Sequence, residues 1–310
     1  MPLPRLACLA LAAALANAVP VTCAAPDPRF ARENLVAWCI VPFDSVRRDP
    51  EARAAMIRGL GLTKVAYDWR AEHVPQFEQE IRAYRKHGLE FFAFWGVHEE
   101  AFRLFAQHQL RPQIWLTAPS PAGDLTREEQ IRQAAARLLP AVERTRRAGL
   151  PLGLYNHGGW GGEPENLVAV CAHLRRHHDA GHVGIVYNQH HGHAPVDRFA
   201  AALAAMQPYL LCLNLNGLTR DGDQRGLKIQ PFGAGELDLP LLRIIAASGY
   251  RGPLGLIGHT QDDVELRLRD NLDGLDWLVP QLTGAPAGPR PTPRVPLPPL
   301  PVARKKAAAK

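Results

Sequence analysis

Eight times along this chain a short apolar run breaks off into polar side chains and gives way to a stretch of helical periodicity. The runs are LVAWCIV from Leu35, KVAYDW from Lys64, LEFFAFW from Leu89, QIWLTA from Gln113, LGLYNH from Leu152, VGIVYN from Val183, LLCLNLN from Leu210 and PLGLIGH from Pro253. A short apolar run without alternation suits a strand buried on both faces, the kind found in parallel sheets covered by helices. Eight strand–helix units in succession predict an α/β fold, a single-domain (β/α)8 TIM barrel. In that fold the polar residues at the strand C-termini gather at one mouth, where the site is expected.

The span from Leu35 to Leu282 suits one such barrel, which takes about 250 residues. Ahead of it, residues 1–25 read as a secretory signal peptide: Arg5 supplies the charged start, Leu6 to Leu15 an apolar stretch, and small residues follow. The apolar stretch is short of the roughly 20 residues that a membrane span needs, so no transmembrane segment is expected. The leader predicts a periplasmic or secreted protein. Residues 26–283 form the barrel domain. Residues 284–310, rich in proline and lysine with six basic residues and no acid, are expected to be a disordered basic tail. That tail and Arg5 account for more than the whole formal charge of +6, leaving the barrel near −1. A barrel without a basic surface does not predict nucleic acid as a partner. Cys39, Cys171 and Cys212 read as small buried apolar residues, because Cys39 and Cys212 fall on strands separated by another, about 9–10 Å apart and beyond disulfide reach.

The polar residues at the strand ends nominate the site. Asp68 and Arg70 close the second strand two residues apart, and are expected to share a face as a rim ion pair or as substrate contacts. Trp95 closes the third and offers a ring to stack on a sugar. In YNHGGWGGEPEN, Tyr155 and His157 share a face, four glycines surround Trp160, and Glu163 stands at a helix start. The sixth strand opens into Asn188, His190, His191 and His193. Asn214 and Asn216 share a face of the seventh, which is expected to point inward, because two amides in apolar packing would each cost about 1–3 kcal/mol if unpaired. Lys228 and then G-A-G-E-L-D, with Glu236, follow, and His259 ends the eighth strand. Thr126 with Glu129, and Thr260 with Asp263, read as helix caps.

Y-N-Q-H-H-G-H and G-A-G-E-L-D together resemble motifs of the xylose isomerase-like TIM barrels, the sugar phosphate isomerases and epimerases. The first is similar to that family's strand-six aspartate followed three residues later by histidine, matching at His191 with Asn188 in the aspartate's place. The second is similar to its G-x-G-E-x-D, matching at Gly233, Gly235, Glu236 and Asp238. The resemblance implies proton transfer next to a sugar carbonyl, a small-molecule carbohydrate as partner, and a divalent metal held by Glu, Asp, His and Glu. Here Tyr155, Asn188, Asn214 and Gly258 or His259 stand at those positions, which removes the negative charge a hard cation needs. A metal, if held, would draw on Glu163, His191, Glu236 and His259. The catalytic set expected from the sequence is His157, Glu163, His191, Glu236 and His259, with Asp68, Arg70, Trp95, Tyr155, Trp160, Asn188, His190, His193, Asn214, Asn216 and Lys228 around the substrate. The alternative is a non-catalytic carbohydrate-binding barrel that kept the pocket and lost the metal.

Overall fold

All eight apolar runs form strands. The structure, a computed structural model, describes residues 27–297; the expected leader and the tail beyond Leu297 lie outside the described residues. Strands β1 (Leu35–Trp38), β2 (Lys64–Tyr67), β3 (Glu90–Trp95), β4 (Gln113–Thr117), β5 (Leu152–Tyr155), β6 (Val183–Asn188), β7 (Leu210–Leu215) and β8 (Leu254–Ile257) pair in sequence order and close into a barrel. The closing β8–β1 pair is parallel, with Leu35 opposite Leu254 and Trp38 opposite Ile257. Outside lie α1 (Pro50–Gly59), α2 (Phe77–Lys86), α3 (Glu99–Gln107), α4 (Arg127–Ala148), α5 (Pro164–His178), α6 (Phe199–Met206), α7 (Asp238–Ala247) and α8 (Val264–Leu278).

Local chemistry sets the helix starts. Asp49 caps α1 through the Ala52 amide with Pro50 in the first turn, where a missing N–H costs nothing. Thr126 and Glu129 satisfy each other's amides as a capping box for α4. The cap of α8 differs from the expected Thr260–Asp263 pair: Asp263 alone caps, accepting from the Glu265 amide at 2.9 Å. The Thr260 hydroxyl instead donates to Asp262 and accepts from Arg267, each at 3.0 Å.

Strand alternation splits the core in two. Val36, Trp38, Ala66, Ala93, Trp115, Tyr155, Val186, Cys212 and Ile257 fill the barrel interior, while the other strand faces pack Leu, Ile, Val and Phe against the helices. Large rings in the interior require small residues beside them. A Cβ at Gly153 would fall 2.5 Å from Val186 and 3.0 Å from Trp115, so any side chain there would displace the packing. Cys39, Cys171 and Cys212 are all buried free thiols, as expected.

Residues 284–297 correct the expectation of a disordered tail. Asp270 of α8, itself buried, accepts from the Arg294 amide at 2.9 Å and the Val295 amide at 3.0 Å and pairs with the Arg294 guanidinium at 3.0 Å. Val295 is buried, and the Trp277 indole donates to the Gly288 carbonyl at 2.8 Å. Truncation after Thr283 strips Asp270 of all three partners. Losing these three charge-assisted hydrogen bonds costs on the order of 1–3 kcal/mol, which at about 2–4 °C per kcal/mol predicts a fall in melting temperature of about 2–12 °C. A truncated chain melting with the full one would show that this segment contributes nothing.

Candidate active site

The polar strand ends meet over a cavity of about 200 Å³ at the C-terminal mouth of the barrel. Its floor is aromatic. The Trp38 indole donates across the barrel to the Tyr155 hydroxyl at 3.1 Å, and Trp95 meets Tyr155 edge-on with ring centroids 4.9 Å apart. Burial pushes the Tyr155 phenol well above its ordinary range, so it stays protonated. The walls are Cys39, Phe43, Asp68 and Arg70 on one side and His157, His190, His191 and His259 on the other.

Each wall is set by how a strand ends. After Trp38 the chain leaves the sheet through Cys39 in a left-handed conformation with φ 59°, costly for a non-glycine residue. This turn directs the Val41 amide at Asp68, whose Oδ1 accepts it at 3.3 Å. Asp68 follows the last residue of β2 and is buried, its Oδ2 without a hydrogen-bond partner among the described residues. Burial raises its carboxyl to about 6, against the opposing pull of the Val41 amide and Arg70. The expected Asp68–Arg70 ion pair does not form. Arg70 instead donates to the Trp69 carbonyl at 2.8 Å, with its guanidinium carbon 5.4 Å from the Phe43 ring centroid.

The opposite wall depends on Asn156, which no motif in the sequence signals. Its amide extends the β5–β6 ladder by one step, donating to the Asn188 carbonyl at 3.0 Å and accepting from the Asn188 amide at 2.6 Å. Asn188 then touches the Tyr155 hydroxyl with its side-chain nitrogen and receives the His190 amide at 3.2 Å on its oxygen. These contacts fix the tight turn in which the His190 and His191 rings lie against each other, centroids 3.7 Å apart and planes tilted by 44°. His157 reaches His191 at 4.4 Å and His259 reaches His190 at 5.4 Å. Burial and neighbouring cations lower His190 strongly, His191 to about 3 and His259 to about 4. At neutral pH these three are uncharged imidazoles. The His190 Nδ1 is buried without a partner.

Of the catalytic set expected from the sequence, the cavity brings together His157, His191 and His259 but neither glutamate. Glu163 occupies the position before α5 without capping it through its side chain, and ion-pairs with Arg198 on the surface. Glu236 accepts the Arg220 amide at 2.9 Å and lines a separate groove of about 720 Å³ against Arg225, Trp277 and the 290–297 segment. The G-A-G-E-L-D motif is architectural. Asp238 gathers the Leu218, Gly233 and Gly235 amides at 2.7, 2.7 and 3.0 Å, and a Cβ on Gly235 would strike the Asp238 carboxylate and the Leu218 backbone. Among the expected substrate contacts, Asp68, Arg70, Trp95, Tyr155 and His190 line the cavity. Trp160 donates to Gln130 at 2.9 Å, tying the loop after β5 to α4. His193 shares a hydrogen bond with the Lys228 carbonyl at 3.0 Å, joining the loops after β6 and β7. Asn188 supports the wall from below. Asn214 lies on the same strand face as Cys212 of the barrel interior and accepts from its thiol at 3.5 Å, while Asn216 donates to the Gly217 carbonyl at 2.7 Å. Phe43, Cys39 and Trp38 are cavity residues that no polar motif signalled.

A sequence model described as "xylose isomerase-like TIM barrel" matches residues 70–279. The chain belongs to that family. Solved structures with this fold include the Escherichia coli 3-keto-D-glucoside 4-epimerase YcjR (16% identity, 79% of this chain and 98% of that one, TM-score 0.56). A putative xylose isomerase from Rhodospirillum rubrum is similar at 17% identity, 82% and 99% coverage and TM-score 0.57. D-psicose 3-epimerase from Clostridium cellulolyticum H10 follows at 11% identity, 78% and 97% coverage and TM-score 0.56. No curated protein matches the chain. The divalent metal implied by the family resemblance does not fit the residues present. Tyr155 and Asn188 are neutral and occupied with each other, Asn214 is neutral, and Glu163 and Glu236 are engaged elsewhere. Among the described residues no three His, Cys, Asp or Glu side chains are grouped to hold a metal ion.

Proposed function

We propose that this chain is an isomerase/epimerase-like enzyme that moves a proton next to the carbonyl of a sugar or keto-sugar, by isomerisation, epimerisation or a related elimination. The observation that carries this reading is Asp68: a buried carboxylate with one free oxygen, raised to about 6, across a small cavity from imidazoles held uncharged. Asp68 and its ring partners arise from β2 and from the ends of β6 and β8, so a guest is approached from different sides. Asp68 as base takes the proton from the carbon beside the carbonyl. A neutral imidazole donates an N–H to the carbonyl oxygen as it gains charge, the role a lowered pKa suits, and carries the hydroxyl proton between oxygens. In an isomerisation Asp68 then returns its proton to the neighbouring carbon. In an epimerisation an imidazole N–H delivers a proton to the opposite face of the same carbon and Asp68 passes its own to solvent. In an elimination the adjacent hydroxyl leaves as water with an imidazole proton, and none of the three consumes an oxidant or reductant. A cavity of about 200 Å³ is below the roughly 300–1,000 Å³ of drug-sized pockets and suits one monosaccharide. The structural relatives that bear sugar epimerase and isomerase names support the same class.

The second reading, a carbohydrate-binding barrel without catalysis, is favoured by the neutral Tyr155, Asn188 and Asn214 at the family's ligand positions. A thermal-shift screen of monosaccharides and keto-sugars, with and without chelator, followed by product analysis of every responsive sugar, separates the two. Turnover of a responsive sugar supports the enzyme; binding without turnover of any supports the module. We also infer export, from the leader in the sequence. N-terminal sequencing of protein from the native host should find a start between residues 19 and 26, and an intact Met1 on the soluble protein would contradict it.

A further inference from the structure

The charges at the mouth are of one sign on the surface and the other at depth. Arg70 borders the cavity with its guanidinium lying over Phe43, and only one of its hydrogen-bond contacts is made, to the Trp69 carbonyl. Among the described residues no carboxylate lies within ion-pair distance of Arg70 or of Lys228, whereas Arg198, Arg220 and Arg225 nearby are all paired. Lys228 is exposed on the loop after β7, close enough for its charge to lower His190, His191 and His259. The one acid in the lining, Asp68, sits buried below the rim with an unpartnered oxygen, and His190 Nδ1 is a second buried polar atom without a partner. The floor beneath them is Trp38, Trp95 and Tyr155.

We propose that the cavity takes a carboxylated monosaccharide, a uronic or keto-sugar acid, with its carboxylate on Arg70 at the rim, the carbon beside its carbonyl facing Asp68 and a hydroxyl on His190 below. This names the substrate class of the site and rests on the reading of the mouth as a sugar site. A planar guanidinium with free N–H groups accepts a carboxylate in a two-pronged pair, the strong form of charged hydrogen bond. Lys228 adds attraction at longer range. The aromatic floor takes the apolar face of the ring, and the small volume leaves no room for an extended phosphoester arm below the rim.

Calorimetric titration tests this without requiring turnover. D-glucuronate and D-galacturonate are compared with D-glucose and D-galactose, and D-glucose 6-phosphate serves as an anion of different shape. The expected result is at least tenfold tighter binding of one acid than of its neutral counterpart and of the phosphate, weakening between 0.05 and 0.5 M salt. Arg70→Gln, an exposed substitution that leaves the core untouched, should cost that acid tenfold or more, and Arg70→Lys should restore part of it. Equal affinity for acid and neutral sugar, tighter binding of the phosphate, indifference to Arg70→Gln, or no acid bound at 10 mM would each overturn the proposal. An acid that binds through Arg70 without being turned over would leave it standing while removing the enzyme reading.

Discussion

Replacing Glu80 by alanine is expected to cost about 3–5 kcal/mol, the usual penalty for stranding one member of a buried ion pair. Glu80 of α2 pairs with Arg53 of α1, and both side chains are almost wholly buried, at 0% and 3% exposure. Arg53 would keep a single donated bond to the Arg48 carbonyl at 2.5 Å, too little to offset a buried positive charge. Against a typical stability of about 5–15 kcal/mol this is a large fraction, readable as a shift of the urea midpoint with the slope unchanged. Replacing both partners by apolar residues of similar volume should recover most of the loss. A loss below about 1 kcal/mol for the single variant would mean that the two helices adjust without the pair.

The second large effect concerns the site. If Asp68 is the base, kcat/KM rises as its carboxyl ionises, so activity is fully present well above pH 6 and falls about tenfold per unit as pH drops below it. Asp68→Asn should abolish that limb and lower turnover by about 10²–10⁴-fold, the range of general acid–base catalysis. His191 and His259 titrate at about 3 and 4, too low to shape the profile near neutrality. His191→Ala should therefore lower the rate by about 100-fold while leaving the limb near pH 6 in place. A profile flat from pH 5 to 8 in the parent enzyme would remove Asp68 from the base role.

The barrel was legible because it is written in a repeated local pattern: eight apolar runs, each backed by a helical stretch, admit few other arrangements. The inward face that Asn214 shares with Cys212 was legible because alternation within a strand is geometric. The site was legible only in part. Asp68 and Arg70 do line one wall of the cavity, as a shared face predicts, but the ion pair does not form, because β2 ends at Tyr67 and the chain turns where the ladder stops. Asp68 then turns inward to the Val41 amide and Arg70 outward over Phe43. The left-handed turn at Cys39 that makes this possible has no sequence signature, because no glycine marks it. Glu163 and Glu236 stood at helix starts, where a carboxylate can face either the mouth or the rim. The choice was made by Arg198 in one case and by the Arg220 amide in the other, partners distant in sequence. The ordered part of the tail was hidden likewise, since proline-rich composition does not show that Arg294 and Val295 reach Asp270.

The most direct measurement of whether the mouth moves a proton on carbon is hydrogen exchange with solvent. Each responsive sugar is incubated with the protein in deuterium oxide, and the position beside its carbonyl is followed by NMR. The expected result is deuterium appearing at that single carbon with the parent protein, and slower by at least 100-fold with Asp68→Asn and with His191→Ala. Absence of exchange in every sugar that binds, or exchange that persists unchanged in both variants, would contradict proton transfer at this site.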